Sequence, residues 1–571
     1  MKLITGGPGS GKTQRLVDEI ESRLKAGVSP YMILATTFSR QAAAEISERL
    51  GGDVRVRTLH GTAYWLIRLA HRARGQRAPK VISEDKVLMV MERAAQEIGA
   101  KFLEPQAVIQ DMERIRARGG RFEALHPQAQ RMIQRYFQIL TSDNLLDFTG
   151  ILEAARNELE DRDLRSFLRG MRLFVDEGQD VSPVTEWPIL QALFGESDEF
   201  IMLASPSQQI YGFRGADWEK LVSLFPQELE SEAMQRNHRS TPEIVNAARP
   251  LAGPDARNMV PVRDSLGVPV RVVDAMNAEM EADFVGRQVS EWIESFQANG
   301  IPMHEIAVLT RVHSQHNRLQ VALRMRDLPF RTIGKGRGIF EREETQALLG
   351  YLQLAVDPMD DSMLETVVNF PPCGIGARTR YTLRGDGDLR WDHLISVLAN
   401  PDAWRSQVLR RVHRILDLRE LFDQLMERKP PPTEFVAKVA EWSEIPDHLN
   451  SEGDFAGSRA VNDLVELSGE FGRLSEFVEY LRGEVARPGQ AEGIHLATIH
   501  ASKGREWKAV LLPGFNDGLL PLEAGDPHEE RNVAFVGLTR AMDRLVLTMS
   551  RPSPVSPFLA RLPVEASRWP V

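Results

Sequence analysis

Apolar positions along the chain fall into short continuous runs and into longer stretches with a helical period. An apolar run at residues 2–5 precedes a glycine-rich loop and a helical pattern over 13–25, and a second run at 32–37 precedes a helical pattern over 41–50. Alternation of buried strands with helices is typical of a parallel α/β sheet. Later strand-like runs occupy residues 172–175, 199–204, 268–273, 305–309, 493–498, 509–512 and 545–548.

Two long stretches interrupt this alternation. Residues 66 to about 167, and about 348 to 487, have no strand-like run, and Arg, Glu, Leu and Ala recur there with helical spacing. We therefore predict an α/β fold with parallel sheets, interrupted twice by all-helical insertions. Two segments rich in proline and glycine, 249–269 and 486–490, are predicted linkers.

Composition and charge exclude several classes of protein. The 571 residues suffice for about four domains. The 80 acidic and 70 basic residues give a net charge of −10, which argues against a generally basic surface but allows a local basic groove. The single cysteine, Cys373, excludes an internal disulfide and a cysteine-ligated zinc or iron–sulfur site. We see no membrane-length apolar run and no signal-peptide pattern in residues 1–6, so we expect an intracellular protein.

A phosphate-binding loop follows the first predicted strand. Residues 6–13 read GGPGSGKT and match the pattern G-x-x-x-x-G-K-[ST] between a strand and a helix. The backbone amides of such a loop face phosphate oxygens, while Lys12 would neutralise phosphate charge and Thr13 would bind Mg²⁺. The candidate nucleotide-binding residues of the loop are Gly7, Pro8, Gly9, Ser10, Gly11, Lys12 and Thr13.

A carboxylate pair after a later strand supplies the acidic partner that this loop needs. Residues 172–175 lead into Asp176, which would hold Mg²⁺, and Glu177, which would polarise the attacking water. The alternative is a solvated pair after an edge strand. Phosphoryl transfer also needs positive charge near the γ-phosphate, but spacing alone does not distinguish Arg239 and Arg540 from surface arginines.

Taken in order, these segments resemble the motifs of the UvrD/Rep-like superfamily 1A helicases. The phosphate-binding loop is the first motif, residues 175–180 (VDEGQD) resemble motif II, residues 208–216 (QQIYGFRGA) resemble motif III and residues 237–240 (NHRS) resemble motif IV. Further segments similar to family motifs are residues 37–43, 58–63, 146–148, 334–336 with 340–342, 498–507 and 529–541. The resemblance spans nearly the whole chain.

The resemblance implies a domain organisation that explains the interrupted alternation. Two RecA-like domains, 1A and 2A, would each carry a helical insert, 1B and 2B. ATP and Mg²⁺ would bind between 1A and 2A, and single-stranded DNA would cross the top of both. The implied bounds are 1–66 and 168–250 for 1A, 67–167 for 1B, 251–347 and 488–571 for 2A, and 348–487 for a shortened 2B.

The resemblance also assigns roles to single residues. Gln208 would sense the γ-phosphate, Arg239 and Arg540 would be arginine fingers reaching the nucleotide from opposite sides of the cleft, and Glu506 would contact the ribose. The residues implied on the DNA path are Phe38, Thr58, His60, Tyr211, Phe213, Arg214 and His500. Aromatic rings stack on any base and so grip a strand without reading its sequence, although core packing is the alternative for each of these rings.

The chain departs from the family pattern around the nucleotide. Positions that contact the adenine base hold Gln14 where Arg is usual and His238 where Tyr is usual, and only five residues precede Gly6. We therefore expect the family's upstream adenine-reading segment to be absent and discrimination among bases to be weak. In motif III, Ser205 replaces a carboxylate, which would loosen the coupling between ATP state and DNA grip.

Three functions stay open at this point. The favoured one is an ATP-driven translocase and helicase on single-stranded DNA and single/double-strand junctions, with 3′→5′ polarity by analogy, in replication, recombination or repair. The others are a translocase that strips proteins from DNA but unwinds poorly, and a nucleotide-switched module that clamps DNA without processive movement. We expect a monomer or weak self-association, replication or repair proteins as partners, no membrane, and a cytoplasmic location in the cell or in a virus-infected host.

Four arginines in the first insert form a basic cluster. We interpret the cluster as a solvated helix end, with a contact to nucleic-acid phosphates as the alternative. The cluster consists of Arg114, Arg116, Arg118 and Arg121.

Overall fold

The computed structural model describes most of the chain. It covers residues 1–100, 103–334, 339–357, 363–371, 377–384, 387, 389–404, 406–451, 455–469, 471–486, 493–564 and 566–569. Cys373, residues 335–336 of a family-like segment and residues 487–490 of the second predicted linker lie outside this part. None of the helices in the described part is both long and apolar enough to cross a membrane.

The strands fall into two groups along the chain, one before and one after residue 250. They are β1 (Lys2–Gly6), β2 (Ile33–Thr37), β3 (Arg55–Thr58), β4 (Lys80–Val81), β5 (Leu145–Leu146), β6 (Arg172–Val175), β7 (Glu199–Ala204), β8 (Glu230–Met234), β9 (Arg236–Asn237), β10 (Val260–Pro261), β11 (Arg271–Ala275), β12 (Ile306–Thr310), β13 (Phe330–Ile333), β14 (Ile494–Thr498), β15 (Trp507–Leu512), β16 (Ala541–Ser550) and β17 (Ala566–Trp569).

Helices connect most of these strands and fill the regions between them. They are α1 (Lys12–Lys25), α2 (Arg40–Arg49), α3 (Leu59–Ala73), α4 (Glu84–Glu97), α5 (Pro105–Ala117), α6 (Pro127–Ser142), α7 (Phe148–Glu158), α8 (Arg162–Leu168), α9 (Trp187–Gly195), α10 (Trp218–Ser223), α11 (Pro242–Ala248), α12 (Ala278–Gln297), α13 (His316–Arg324), α14 (Glu343–Val356), α15 (Leu364–Asn369), α16 (Ala377–Arg384), α17 (Trp391–Ala399), α18 (Ser406–Arg428), α19 (Pro432–Trp442), α20 (Ile445–Ser451), α21 (Phe455–Ser468), α22 (Leu474–Ala486) and α23 (Pro527–Leu538).

The first sheet has six parallel strands in the order β3–β2–β6–β7–β1–β8. Successive residues of a strand face opposite sides, so Leu173 packs in a core with α3 and α9 while Phe174 packs in a core with α1 and α2. Helices on both faces bury the central strands, which explains their continuous apolar runs. The phosphate-binding loop and Asp176 follow β1 and β6, so both lie at the carboxyl edge of the sheet, where α/β folds bind ligands.

The second sheet has seven parallel strands in the order β13–β14–β12–β15–β16–β11–β17. Its two faces pack against α12 and α13 on one side and α11 and α23 on the other. The predicted α/β class with two parallel, helix-flanked sheets is therefore confirmed. The residue bounds of the four implied domains stay a prediction.

The two insertions are helical, with one exception. In the first, α4, α5 and α6 share an apolar core, but β4 and β5 pair in parallel next to them. The prediction of an all-helical first insertion is wrong at these two short strands, because a two-residue ladder leaves no recognisable alternation. In the second, the described residues between β13 and β14 are helical, and α14 to α22 bury one extended core.

The first predicted linker is not a free connection. Residues 249–269 contain β10, which pairs with β9, and the buried side chains of Ala256 and Met259. Residues 253–259 form tight turns, with backbone hydrogen bonds from Ala256 N to Gly253 O (3.1 Å) and from Met259 N to Ala256 O (3.2 Å). Proline and glycine are common in such turns. The proline and glycine content of this segment therefore reflects backbone turns in a packed segment and not an exposed linker.

The basic cluster of the first insert divides into buried and exposed members. Arg116 is 7% exposed, and its guanidinium donates to Asp147 at 2.8 Å and to Glu153 at 2.7 Å. The Tyr136 hydroxyl also donates to Asp147 at 2.9 Å. Asp147 further caps α7 by accepting from the backbone of Gly150 at 2.6 Å. The interpretation of Arg116 as part of a solvated end is wrong, because its charge is neutralised inside the insert.

Replacing Asp147 by Ala is expected to destabilise the first insert strongly. The substitution removes the buried partner of Arg116, whose guanidinium keeps the exposed Glu153, and it also removes the acceptor for Tyr136 and the cap of α7, a loss of about 3–5 kcal/mol. Glu153→Ala is the matched control, because the Glu153 side chain is 53% exposed and exposed pairs are worth about 1 kcal/mol or less. Thermal and urea unfolding followed by circular dichroism measures both. Equal destabilisation by the two variants would contradict the assignment.

Candidate functional site

The phosphate-binding loop wraps around the ammonium group of Lys12. Lys12 Nζ donates to the carbonyl oxygens of Gly6 and Gly7, both at 2.9 Å. Gly9 has a φ of 67°, and a side chain there would lie 2.6 Å from Cβ of Arg239, so only glycine lets this loop approach that residue so closely. The hydroxyl of Ser10 is buried and has no hydrogen-bond partner within the described part of the chain. It is therefore free to meet a phosphate oxygen.

The carboxylate pair lies beside this loop. Asp176 accepts a hydrogen bond from the hydroxyl of Thr13 at 3.3 Å. Burial raises the pKa of Asp176, and the charge of Glu177 adds to the rise. Burial alone would also raise the pKa of Glu177, but the positive charges of Lys503 and Lys12 hold it below the usual range. Glu177 is therefore a carboxylate at neutral pH, as a general base must be.

Residues 205–208 form a turn that reaches into the same site. The backbone N–H of Gln208 donates to Ser205 O at 2.7 Å, and its side-chain Nε2 is buried without a hydrogen-bond partner among the described residues. Lys503 of the second sheet donates to the carbonyl of Gln208 at 2.8 Å and pairs with the carboxylate of Asp180. This lysine therefore joins motif II, motif III and the segment after β14.

The two candidate arginine fingers lie close together between the sheets. Arg239 pairs with the carboxylate of Glu506 and donates to Thr539 O at 3.3 Å. Arg540 is 2% exposed and donates to the carbonyls of Val536 at 3.2 Å and Arg505 at 3.1 Å. Burial lowers the pKa of Arg540, and the nearby charge of Arg239 lowers it further. Glu506 thus contacts a candidate arginine finger here, and its role at a ribose stays a prediction.

The candidate base-contact residues lie at the surface. The side chain of Gln14 bonds to Asp18 at 2.8 Å and to Arg49 at 3.2 Å. His238 is exposed, and its backbone N–H donates to the carbonyl of Gly9 at 2.8 Å. Weak discrimination among bases stays a prediction.

Aromatic side chains gather around the second half of the motif III segment. Tyr211 stacks on Phe38 with 4.8 Å between ring centroids, and it lies 5.9 Å from Phe213 and 6.2 Å from His500. The Arg214 guanidinium lies 5.3–5.8 Å from the centroids of the Phe38, Tyr211 and Phe213 rings. We call these five residues the aromatic cluster. Direct stacking of Phe38 on Tyr211 leaves no space for a base between those two rings, whereas Phe213 is 59% exposed.

The aromatic cluster borders a cleft of about 1540 Å³ between the two sheets. Phe213 and His500 line the cleft, together with Arg118 and Arg311. Acidic side chains, among them Asp217, line it as well. The cleft therefore offers positive charge and exposed ring surface, but it is not uniformly basic.

The two remaining DNA-path candidates lie at the start of α3. The hydroxyl of Thr58 accepts from the backbone of Gly61 at 3.0 Å and so caps this helix. The ring of His60 stacks on Phe148 at 3.9 Å, and its Nδ1 lies 3.9 Å from the Glu186 carboxylate. Burial lowers the pKa of His60 to about 4. His60 is therefore neutral at pH 7, and its contact with Glu186 is not an ion pair.

Sequence reasoning missed several residues that the structure brings into the site. Lys503 belongs to a segment recognised as motif V, yet its contacts are with residues 177–208, about 300 positions away. Asp255 lies in the predicted linker and accepts from Ser205 Oγ at 3.1 Å and from Ser207 N at 3.0 Å. Asn532 of α23 donates to Gln209 O at 3.1 Å. Lys503 and Asn532 lie in segments that resemble family motifs, whereas Asp255 had no signal in the sequence.

Asp255 also bears on the expectation about motif III. Ser205 was expected to leave this motif without a carboxylate, but the carboxylate of Asp255 contacts its hydroxyl. A carboxylate is therefore present beside Ser205, and the expected loosening of the coupling stays a prediction.

Comparison with known families agrees with this arrangement. The model of the UvrD/REP helicase N-terminal domain matches residues 1–227, and that of the UvrD-like helicase C-terminal domain matches residues 233–395 and 410–552. The two models cover most of the chain, and the boundary between them falls at residues 227–233, at the start of β8.

Individual relatives match along nearly the whole chain. DNA helicase II of Escherichia coli K12 is 28% identical over 597 aligned positions, which cover 96% of this chain and 82% of the relative. DNA helicase II of Haemophilus influenzae is 27% identical, with coverages of 99% and 85%. The ATP-dependent DNA helicase PcrA of Staphylococcus aureus Mu50 is 25% identical, with coverages of 96% and 80%. With the two family models, these matches show that the chain belongs to the UvrD/Rep helicase family and is an ATP-dependent helicase.

Proposed function

We propose that the chain hydrolyses ATP in response to single-stranded DNA, moves along that strand and separates duplexes at single/double-strand junctions. One observation carries the proposal. Residues 205–213 form one short segment whose first half places Gln208 at the nucleotide site and whose second half places Tyr211 and Phe213 in the aromatic cluster. A shift of this segment therefore acts on both sites. The relatives named as DNA helicases support DNA as the track.

The residues around the phosphate-binding loop fit the chemistry of hydrolysis. Glu177 accepts a proton from the attacking water because its carboxylate is charged at neutral pH. Gln208 Nε2 has a free donor for the γ-phosphate or for that water. Lys12, Arg239 and Arg540 supply positive charge where negative charge develops in the transition state.

Thr13 and Asp176 would hold Mg²⁺ in the same site. The hydroxyl and the carboxylate already lie 3.3 Å apart, and oxygen ligands are those that Mg²⁺ prefers. Bound there, the ion would neutralise charge on the β- and γ-phosphates. This assignment rests on the donor set and on the P-loop resemblance.

The aromatic cluster suits a strand whose sequence does not matter. Every base has a flat face, and stacking on an aromatic side chain contributes about 1–3 kcal/mol per base. Phe213 offers the most exposed ring of the cluster, and Arg214 places a positive charge beside the rings. We propose that bases stack on Phe213 first, and that Phe38 and Tyr211 admit a base only after they separate.

Polarity and pathway follow from resemblance. We propose 3′→5′ movement, a role in replication, recombination or repair, and the domain bounds given in the sequence analysis. A motor that strips proteins from DNA, or a module that only clamps it, would share the same residues. The clamping module is an outcome of the tests below.

Replacing Lys12 by Ala is expected to abolish ATP hydrolysis. The variant loses the charge that neutralises the phosphates, a loss of about 10²–10³ in kcat. Steady-state ATP hydrolysis is measured with and without oligo-dT. The wild type should be strongly stimulated by DNA, and the variant should show little hydrolysis in either condition while it still binds DNA.

Lys25→Ala is the matched control, because Lys25 lies at the other end of α1 and its side chain is 77% exposed. It should hydrolyse ATP like the wild type. Wild-type hydrolysis that ignores DNA would contradict the proposal and favour a nucleotide-switched module.

Replacing Phe213 by Ala is expected to weaken the binding of single-stranded DNA. Loss of one stacking ring should raise the Kd for fluorescein-labelled oligo-dT by about 5- to 150-fold, corresponding to about 1–3 kcal/mol. Phe167→Ala is the control, since Phe167 is also an exposed phenylalanine, at 56% exposure, but lies on α8. An unchanged Kd for the Phe213 variant would show that bases do not stack there.

A further inference from the structure

The segment between the two sheets follows the nucleotide site closely. Residues 253–263 begin at the turn of motif III, pass the phosphate-binding loop and end beside Arg239. We call these residues the strap. Each of its contacts lies on a different part of the candidate site.

The first contact of the strap is made by Asp255. One oxygen of its carboxylate accepts from Ser207 N at 3.0 Å and from the Ser207 hydroxyl, and the other accepts from the Ser205 hydroxyl at 3.1 Å. The hydroxyl of Ser207 also accepts from the backbone of Gly253 at 2.9 Å. Two serines of motif III are thus fixed to one carboxylate outside the motif.

The second contact reaches the phosphate-binding loop. A side chain at Gly7 would meet Cβ of Ala256 at 3.0 Å and Sδ of Met259 at 2.5 Å, so the strap lies directly against the backbone of that loop. The side chain of Asn237, which donates to the Pro8 carbonyl at 2.8 Å, also touches Met259 Sδ at 4.0 Å. A displacement of the loop would therefore press on the strap.

The third contact holds the finger segment. Val260 and Pro261 pair with Arg236 and Asn237. Arg263 donates to the carbonyl of Arg239 at 2.6 Å. The Arg263 guanidinium also reaches Asp543 at 2.7 Å, so the end of the strap touches the second sheet.

These contacts give the strap a mechanical role. Its Ala256 and Met259 sense the position of the phosphate-binding loop, and its Asp255 fixes the turn that presents Gln208. The same turn continues directly into Tyr211 and Phe213 of the aromatic cluster. The path from nucleotide to DNA therefore includes a carboxylate that lies between the two sheets in the sequence.

We propose that Asp255 is a positioning residue that couples nucleotide binding to the grip on single-stranded DNA. This inference rests on the proposed function. Asp255 acts through the hydrogen bonds that its carboxylate accepts from Ser205 and Ser207, and not by touching the nucleotide. Without these bonds the turn no longer follows the phosphate-binding loop, although each site can still bind its own ligand.

The test is a coupling ratio. The Kd of fluorescein-labelled oligo-dT is measured with and without a non-hydrolysable ATP analogue and Mg²⁺. The larger of the two values divided by the smaller gives the coupling between the sites, and a quotient of 1 means that the sites are not coupled. Hydrogen bonds to a carboxylate are stronger than those between neutral groups. Asp255→Ala should therefore lower the quotient about tenfold below its wild-type value, or to 1 where the wild-type quotient is below ten. The KM for ATP and the Kd for DNA alone should change much less.

Three further variants make the result specific. Asp255→Asn keeps the acceptor oxygen for both bonds from Ser207 and should retain most of the coupling. Ser207→Ala removes a donor from the other side and should lower the coupling even if Asp255→Ala does not fold. Asp264→Asn, an exposed carboxylate on the same stretch of chain, should behave like the wild type.

The outcomes separate this inference from the proposed function. DNA-stimulated hydrolysis in the wild type, with an unchanged quotient in Asp255→Ala and Ser207→Ala, overturns the coupling role alone. Equal losses of basal and DNA-stimulated hydrolysis with an unchanged quotient would make Asp255 a merely structural part of the site, which also overturns it. A wild type without DNA stimulation overturns the proposed function and this inference together.

Discussion

A buried ammonium group connects the two sheets of this molecule at the candidate nucleotide site. Lys503, whose side chain is 7% exposed, extends from the second sheet to the carboxylate of Asp180 and to the carbonyl of Gln208 in the first. A buried charge is tolerated only when it is paired and hydrogen-bonded. The two sheets therefore have to meet where the Lys503 ammonium reaches these acceptors. Glu177 lies 3.8 Å from the same ammonium, so the candidate general base lies beside the contact that connects the two sheets.

The remaining site is arranged around this contact. The motif III turn is fixed from one side by the strap through Asp255 and from the other by α23 through Asn532, which donates to the carbonyls at 206 and 209. A phosphate placed on the loop at 6–13 adds negative charge beside Lys503, Arg239 and Arg540. Those cations lie on both sides of the cleft. A bound phosphate would therefore attract both walls of the cleft and the turn between them.

The sequence predicts the parts of the fold that local physics determines. The strands at 172–175 and 199–204 were predicted with the bounds that the structure shows, because continuous apolar runs are buried on both faces. The edge strands β3, with sequence RVRT, and β8, with sequence ESEAM, were missed because half-exposed strands carry charges. Phosphate-binding residues could be predicted because one short loop holds them.

Contacts between distant segments could not be predicted in this way. Asp255 meets Ser205 across 50 residues, and Lys503 meets Asp180 across 323 residues. The composition of residues 249–269 does not distinguish the packed strap from an exposed linker. Proline and glycine indicate where the backbone turns, but they do not indicate which residues it contacts. The direct stacking of Phe38 on Tyr211 is likewise a property of the assembled fold.

If nucleotide hydrolysis moves the chain along a strand, its transport along labelled DNA can be followed in time. Oligo-dT of increasing length, with a fluorophore at its 5′ end, is bound by the protein and mixed with ATP and a trap for free protein. For 3′→5′ movement we expect a lag before the fluorescence change that grows in proportion to the length of the oligonucleotide. We expect no such lag when the fluorophore is at the 3′ end. A signal that is independent of length while ATP is hydrolysed would contradict it and would identify a clamp instead of a motor.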